Sequence, residues 1–227
     1  MTTIISNIED WKKLLTEAEN GSNLLQLEVA VLFENGVEIN GFEIVKKDAA
    51  QDFKWTKIAY ENGNLDALVR YADYLSSGYN GEKNLELAIQ LYEKGAKLGC
   101  SIATFNLGIE HRNKQEFESA FRYYQKAKTI NSESEDFTIA KCYYYGIGTE
   151  KDKCKAIDIL NNITFPQNNQ YEVDEANYML GMLYLEGEVV EKSIKTARHY
   201  LELANQDEDH RSAQEILLII GRTDNIL

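Results

Sequence analysis

One pattern recurs along this chain and limits what it can fold into. A small residue is followed four positions on by an apolar one, then a small one, then an aromatic three further, then a glycine. The cleanest copies are Ala67…Tyr71-Ala72…Leu75…Gly78 and Ala176…Leu180-Gly181…Tyr184…Gly187. Ala103…Leu107-Gly108…His111, Ile139-Ala140…Tyr143…Gly146 and Val29-Ala30…Phe33…Gly36 repeat it. A second motif follows each copy: Ala88…Leu91-Tyr92…Gly95-Ala96…Gly99, Ala120…Tyr124…Ala127, Ala156…Leu160…Ile163 and Ala197…Leu201…Ala204, with Trp55…Ala59…Gly63 as a weaker first version. From the first motif's glycine to the second's alanine is ten residues in three repeats, 78 to 88, 146 to 156 and 187 to 197. Fixed offsets of this kind mark stacked units, none of which buries its apolar face alone.

Both motifs space apolar residues by three and four, which lines them along one stripe of an α-helix. The small residues at 72, 108, 140 and 181 admit a neighbouring helix at close range. Gly36, Gly78, Gly146 and Gly187 stand where a helix ends in a left-handed turn. Asp48, Asn84, Asp152 and Ser193 each precede a second-motif helix with a side-chain oxygen able to cap it. The unit is helix, loop, helix, repeated about five times over the chain. Three irregularities interrupt it: a short third loop from Lys114 to Ala120, a segment Phe165–Val173 that delays the fifth repeat, and a stretched first loop. The last contains Val37–Val45, which alternates around Asn40-Gly41 as a small hairpin does. Ser6-x-x-Glu9 reads as a capping box opening a helix over Ile8–Glu19.

These residues resemble the Sel-one-like repeats (SLR), relatives of the tetratricopeptide repeats. The pattern is A-x-x-x-L-G-x-x-Y-x-x-G, a loop, then a capped helix carrying A-x-x-W/Y-Y-x-x-A-A-x-x-G; the likeness covers roughly Ser22 to Gly221. It implies an all-α fold, a right-handed α-solenoid of about five helical hairpins with capping helices at both ends. The expected division is one domain, 1–227, with an N-terminal cap over 1–21, five repeats over 22–210, and a C-terminal cap and tail over 211–227. The resemblance implies binding of a protein. Some secreted, cysteine-rich members of the family are linked to β-lactam binding or hydrolysis. Those carry cysteine pairs in each repeat, which this chain lacks.

Composition narrows the partner. With 24 Lys+Arg against 37 Asp+Glu, the net charge is −13, the wrong sign for a nucleic-acid ligand and the right one for a basic protein. No apolar run approaches the roughly 20 residues a membrane span needs, and no signal-peptide pattern opens the chain. Three cysteines at 100, 142 and 154 form neither a metal knuckle nor a disulfide framework. The expectation is therefore a cytoplasmic protein, monomeric on its own, with no cofactor, no metal and no membrane or nucleic-acid partner. Catalytic motifs are absent, and of the three histidines His111 takes a position filled elsewhere by Tyr or Phe, while His199 and His210 read as surface residues.

Function then rests on surface. By analogy with tetratricopeptide repeats, the positions facing a concave groove include Val69 and Asp73; Phe105, Ile109 and Arg112; Phe137, Lys141 and Tyr144; and Tyr178, Met182 and Leu185. Repeats three to five would thus present an aromatic wall typical of an interface core; the alternative is that tight curvature buries the same rings against the second helices. Acids cluster at the turns between repeats: Glu133, Glu135 and Asp136; Glu172, Asp174 and Glu175; Asp207, Glu208 and Asp209. They project from one edge as a rim suited to steering a basic protein, and Asp136, Asp174 and Glu175 join the groove positions as expected partner-binding residues. The reading is a non-catalytic immunity protein that neutralises one basic toxin or effector, with an adaptor that assembles a signalling complex as the alternative.

Overall fold

A computed structural model describes residues 4–81, 83–131, 136–163 and 168–224. The described residues are all-α apart from one hairpin. The chain opens with α1 (Ile8–Glu19), α2 (Asn23–Asn35), strands β1 (Val37–Ile39) and β2 (Phe42–Val45), α3 (Ala49–Glu61), α4 (Leu65–Ser77), α5 (Leu85–Lys97) and α6 (Ser101–Asn113). It continues through α7 (Phe117–Ile130), α8 (Asp136–Tyr145), α9 (Lys153–Leu160), α10 (Gln170–Glu186), α11 (Ile194–Ala204) and α12 (Arg211–Asp224). Two compact units divide it, Met1–Leu107 and Gly108–Leu227, with the boundary inside α6.

Local chemistry places the helix ends where the repeat expects them. Asp48, Asn84, Asp152 and Ser193 each accept backbone N–H bonds from the first turn of the helix that follows, each worth about 1 kcal/mol. Gly36, Gly78, Gly146 and Gly187 all take positive φ. The first helix spans Ile8–Glu19 as expected, but its cap is Asn7, which accepts from Glu9 N and Asp10 N; Ser6 instead donates its backbone N–H to Asp10. The Val37–Val45 insertion is a hairpin, with Ile39 paired to Phe42 across Asn40 and Gly41, both at positive φ.

Packing follows the small positions. A Cβ on Gly108 would lie 2.5 Å from the Tyr124 ring, and one on Gly181 would lie 2.8 Å from Leu201 Cγ. Those glycines are the points where each hairpin's second helix presses on its first. In the first unit, Trp11, Leu14, Val29 and Trp55 share a core with Val45 of the hairpin. Beside it Asp52, with no exposed surface, binds Thr56 Oγ1 at 3.3 Å, Arg70 Nη2 at 3.1 Å and Tyr74 OH at 2.8 Å, with the Tyr79 phenol also drawn to it. Arg70 also reaches Glu34 at 2.8 Å, so one carboxylate knot joins α2, α3 and α4. In the second unit the turn between α6 and α7 is short, with Gln115 at φ 63°. The loop after α8 leans on the start of α7, so closely that a Cβ on Gly148 would sit 2.0 Å from the Phe117 carbonyl oxygen.

Candidate functional site

The aromatic positions expected to line a groove are divided by the structure. Phe137 and Tyr144 are buried in one cluster with Ala156, Leu160, Met179 and Leu183, and Val69 is buried in the first unit. For these three the tight-packing alternative is what the structure has: helix α8 is flanked by α9 and α10 and spends its aromatic stripe on both. Cations cover the remaining ring faces, Lys141 Nζ 4.3 Å above Phe137 and Lys153 Nζ 5.1 Å above Tyr144. Tyr144 donates to Glu186 Oε1 at 2.9 Å, and desolvation together with that bond pushes its phenol up to about 12. Lys153 binds Glu186 and Glu188; burial alone would lower its pKa, but the two carboxylates outweigh that and hold it above the ordinary lysine value.

Elsewhere the positions stay partly accessible. Phe105 and Ile109 are half-buried and Arg112 is exposed. Asp73 accepts from Tyr92 OH at 2.5 Å and Asn106 Nδ2 at 2.8 Å; loss of water raises its pKa, with the two hydrogen bonds pulling back. Tyr178, Met182 and Leu185 are half-buried, Tyr178 and Leu185 packing against Leu201, Ala204, Ala213 and Ile220. Residues the groove analogy passed over are more open: Tyr145 is 60% exposed and Tyr171 is 66% exposed. Neither stands at the offsets from the repeat motif that define the groove positions.

Two of the acidic groups meet, and one of them, Glu172, Asp174 and Glu175, lies within helix α10 and not in a turn between repeats. Asp174 and Glu175 of α10 and Asp207 and Asp209 of the α11–α12 turn line one pocket of about 350 Å³, with the Tyr171 ring and Arg211 at its edge. Asp174 accepts from Gln170 Nε2 at 2.8 Å, which fixes its carboxylate. His210, read from the sequence as a surface residue, is instead almost enclosed, its side chain 11% exposed. Its Nδ1 accepts from Ala213 N at 3.2 Å and so caps α12, while its ring stacks on Tyr178 at 4.9 Å. Accepting at Nδ1 puts the ring proton on Nε2, which lies 3.4 Å from Glu175 Oε1. Four carboxylates and one aromatic residue give the pocket groups that can accept a cation such as a lysine or arginine side chain. Asp136 stands apart, paired with Lys128 at 2.6 Å, and Glu133 and Glu135 lie outside the described residues. A larger cleft of about 770 Å³, bordered by Glu116, Glu118 and Glu150, lies between the α6–α7 turn and the loop after α8.

His111 stacks on Tyr123 at 4.9 Å and meets Glu116 at 2.5 Å, a packing role as expected. Among the described residues no group of three or more His, Cys, Asp or Glu is placed to hold a metal ion, and no helix is long and apolar enough to cross a membrane.

The Sel1 repeat model matches five stretches, 26–64, 65–100, 101–129, 139–160 and 174–208, which together make up most of the chain. The chain belongs to the Sel1 repeat family, an all-α repeat solenoid, and proteins of that family are in general non-catalytic interaction scaffolds. Solved structures share the fold. A protective antigen of uropathogenic Escherichia coli with an SLR fold matches with a TM-score of 0.76 at 22% identity, covering 95% of this chain and 45% of its own. A Sel1 repeat protein from Oxalobacter formigenes matches with a TM-score of 0.72 at 23% identity over 92% of this chain and 58% of its own. The chain thus spans about half the length of these two. An immunity protein from Pseudomonas aeruginosa matches with a TM-score of 0.51 at 16% identity, over 88% of this chain and 72% of its own. No functionally curated protein matches the sequence.

Proposed function

We infer that this Sel1 repeat protein is a non-catalytic inhibitor of the immunity type, a cytoplasmic monomer that binds one basic toxin or effector protein and neutralises it by direct contact. The observation that carries this reading is the pocket formed where Asp174 and Glu175 face Asp207 and Asp209. Four carboxylates line this pocket, and its one arginine, Arg211, is paired with Glu215 outside it, so a partner's cation finds acceptors there. A net charge of −13 adds a long-range field that raises the rate of encounter with a basic surface. The fold shared with the Pseudomonas aeruginosa immunity protein is compatible with that role.

The test begins with capture of the partner from native lysate by tagged protein, followed by co-expression of that partner. A single basic protein held one to one, whose toxicity the chain suppresses, supports the reading. Weak recovery of several partners without rescue supports an adaptor instead. Asp174→Asn with Glu175→Gln should slow association at low salt and lose that effect at high salt; an association rate indifferent to both would remove the electrostatic argument.

A further inference from the structure

The side of α12 turned away from the buried stripe carries two exposed apolar side chains among polar ones. On α12, Ala213 and Ile220 are buried and Ile216 and Leu217 half-buried, whereas Leu218 is 63% and Ile219 58% exposed. Leu218 holds the place that Ala72, Gly108, Ala140 and Gly181 hold in the complete repeats, five residues beyond the motif's first position. In those repeats the small residue is where the second helix of the hairpin presses in, as Leu201 does on Gly181. A branched side chain at 218 denies that approach. Whatever covers α12 packs in another way.

The same side of α12 leads to the acidic pocket. Arg211 and Ser212, exposed and part of the pocket lining, lie seven residues before Leu218 and Ile219. Seven residues is close to two full turns, so both pairs share one face about 10 Å apart along the axis. Glu215, also exposed, stands between them and draws Arg211 to itself at 3.1 Å, so the pocket's one arginine is paired with a carboxylate outside its lining. A second copy of this chain would bring two acidic faces together at a net charge of −13 each. A basic amphipathic segment meets both demands.

Resting on the reading that the partner is basic, we propose that the partner docks through an amphipathic helix laid along α12. One lysine or arginine of that helix enters the pocket of Asp174, Glu175, Asp207 and Asp209. An apolar pair two turns away on the same face covers Leu218 and Ile219. This arrangement reads a spacing as well as a charge, and so separates one cationic helix from others.

The experiment uses the full chain and a fluorescein-labelled lysine/leucine peptide that places a lysine and a leucine pair seven and eight residues apart on one helical face. A peptide of the same composition in scrambled order is its control. Expected are binding by anisotropy, amide shift changes concentrated in 170–175 and 207–219, and affinity reduced roughly tenfold or more for the scrambled peptide and for Leu218→Asp. Leu218 is exposed, so an unchanged circular-dichroism spectrum should accompany that variant. Shift changes elsewhere, equal binding of the scrambled peptide, or indifference to Leu218→Asp overturns the proposal; so does self-association of the free chain through this face. Capture of the partner that survives Leu218→Asp with Ile219→Asp would overturn this docking mode while leaving the inhibitor reading in place.

Discussion

Removing the Asp52 carboxylate should loosen the first unit by an amount set by what it leaves behind. In Asp52→Ala, Thr56 keeps a fully buried hydroxyl with its 3.3 Å acceptor gone, and Tyr74 loses its 2.8 Å acceptor. Each stranded group costs about 1–3 kcal/mol. Arg70 fares better, because its side chain is 23% exposed and it retains Glu34 at 2.8 Å. Breaking a buried ion pair from one side typically costs about 3–5 kcal/mol, and the surviving Glu34 contact places this case near the low end, about 3 kcal/mol. The double variant Asp52→Leu with Arg70→Met removes charge from both sides, and should recover most of that loss. Both tryptophans, Trp11 and Trp55, sit in the core beside this knot, so urea unfolding followed by their fluorescence reads the affected unit directly. If Asp52→Ala stays within about 1 kcal/mol of the parent, or the double variant is the less stable of the two, the reasoning about stranded partners is wrong.

Phe137→Ala should cost about 3–5 kcal/mol in a circular-dichroism melt because the ring is 3% exposed, whereas Met182→Ala, half-buried, should change it by less than about 1 kcal/mol; an unchanged melt for Phe137→Ala would mean the ring is not core. Burial pushes the Cys142 thiol up to about 11, so at pH 8 a thiol reagent should label exposed Cys154 rapidly and Cys142 only after denaturation, with mass mapping of the label as the check. Asp73 has its folded pKa above the unfolded one, so the parent loses stability as pH rises through that folded value. Asp73→Asn keeps an acceptor for Tyr92 and Asn106 and lacks this loss; its advantage should be present at pH 7 and vanish at low pH, and a gap that widens on acidification would reverse the sign.

What could be read from residues alone was whatever depends on near neighbours in the chain. Caps at Asp48, Asn84, Asp152 and Ser193, glycine stops and the Asn40-Gly41 hairpin are decided within a few residues, and they stand as spacing implies. Assigning faces was harder, because α8 and α10 each have more than one packed neighbour and their apolar stripe is wider than one contact needs. Phe137 and Tyr144 therefore look like groove residues by offset and prove to be core. Asp52 gave no sign of its role: Tyr74 lies 22 positions away in the chain and Tyr79 further still. The acidic rim was visible as composition, yet only the fold shows that acids within α10 meet those of the turn before α12 while Asp136 is paired with Lys128.

The contact of Gly148 with the Phe117 carbonyl means that the repeats are not interchangeable parts. A loop transplanted from another repeat brings a side chain to a spot with room for a hydrogen only, and a longer third loop moves the carbonyl that the glycine rests on. Shuffling, duplication or consensus redesign can treat most hairpins as separate bricks, but must carry the third and fourth together as a single inherited piece.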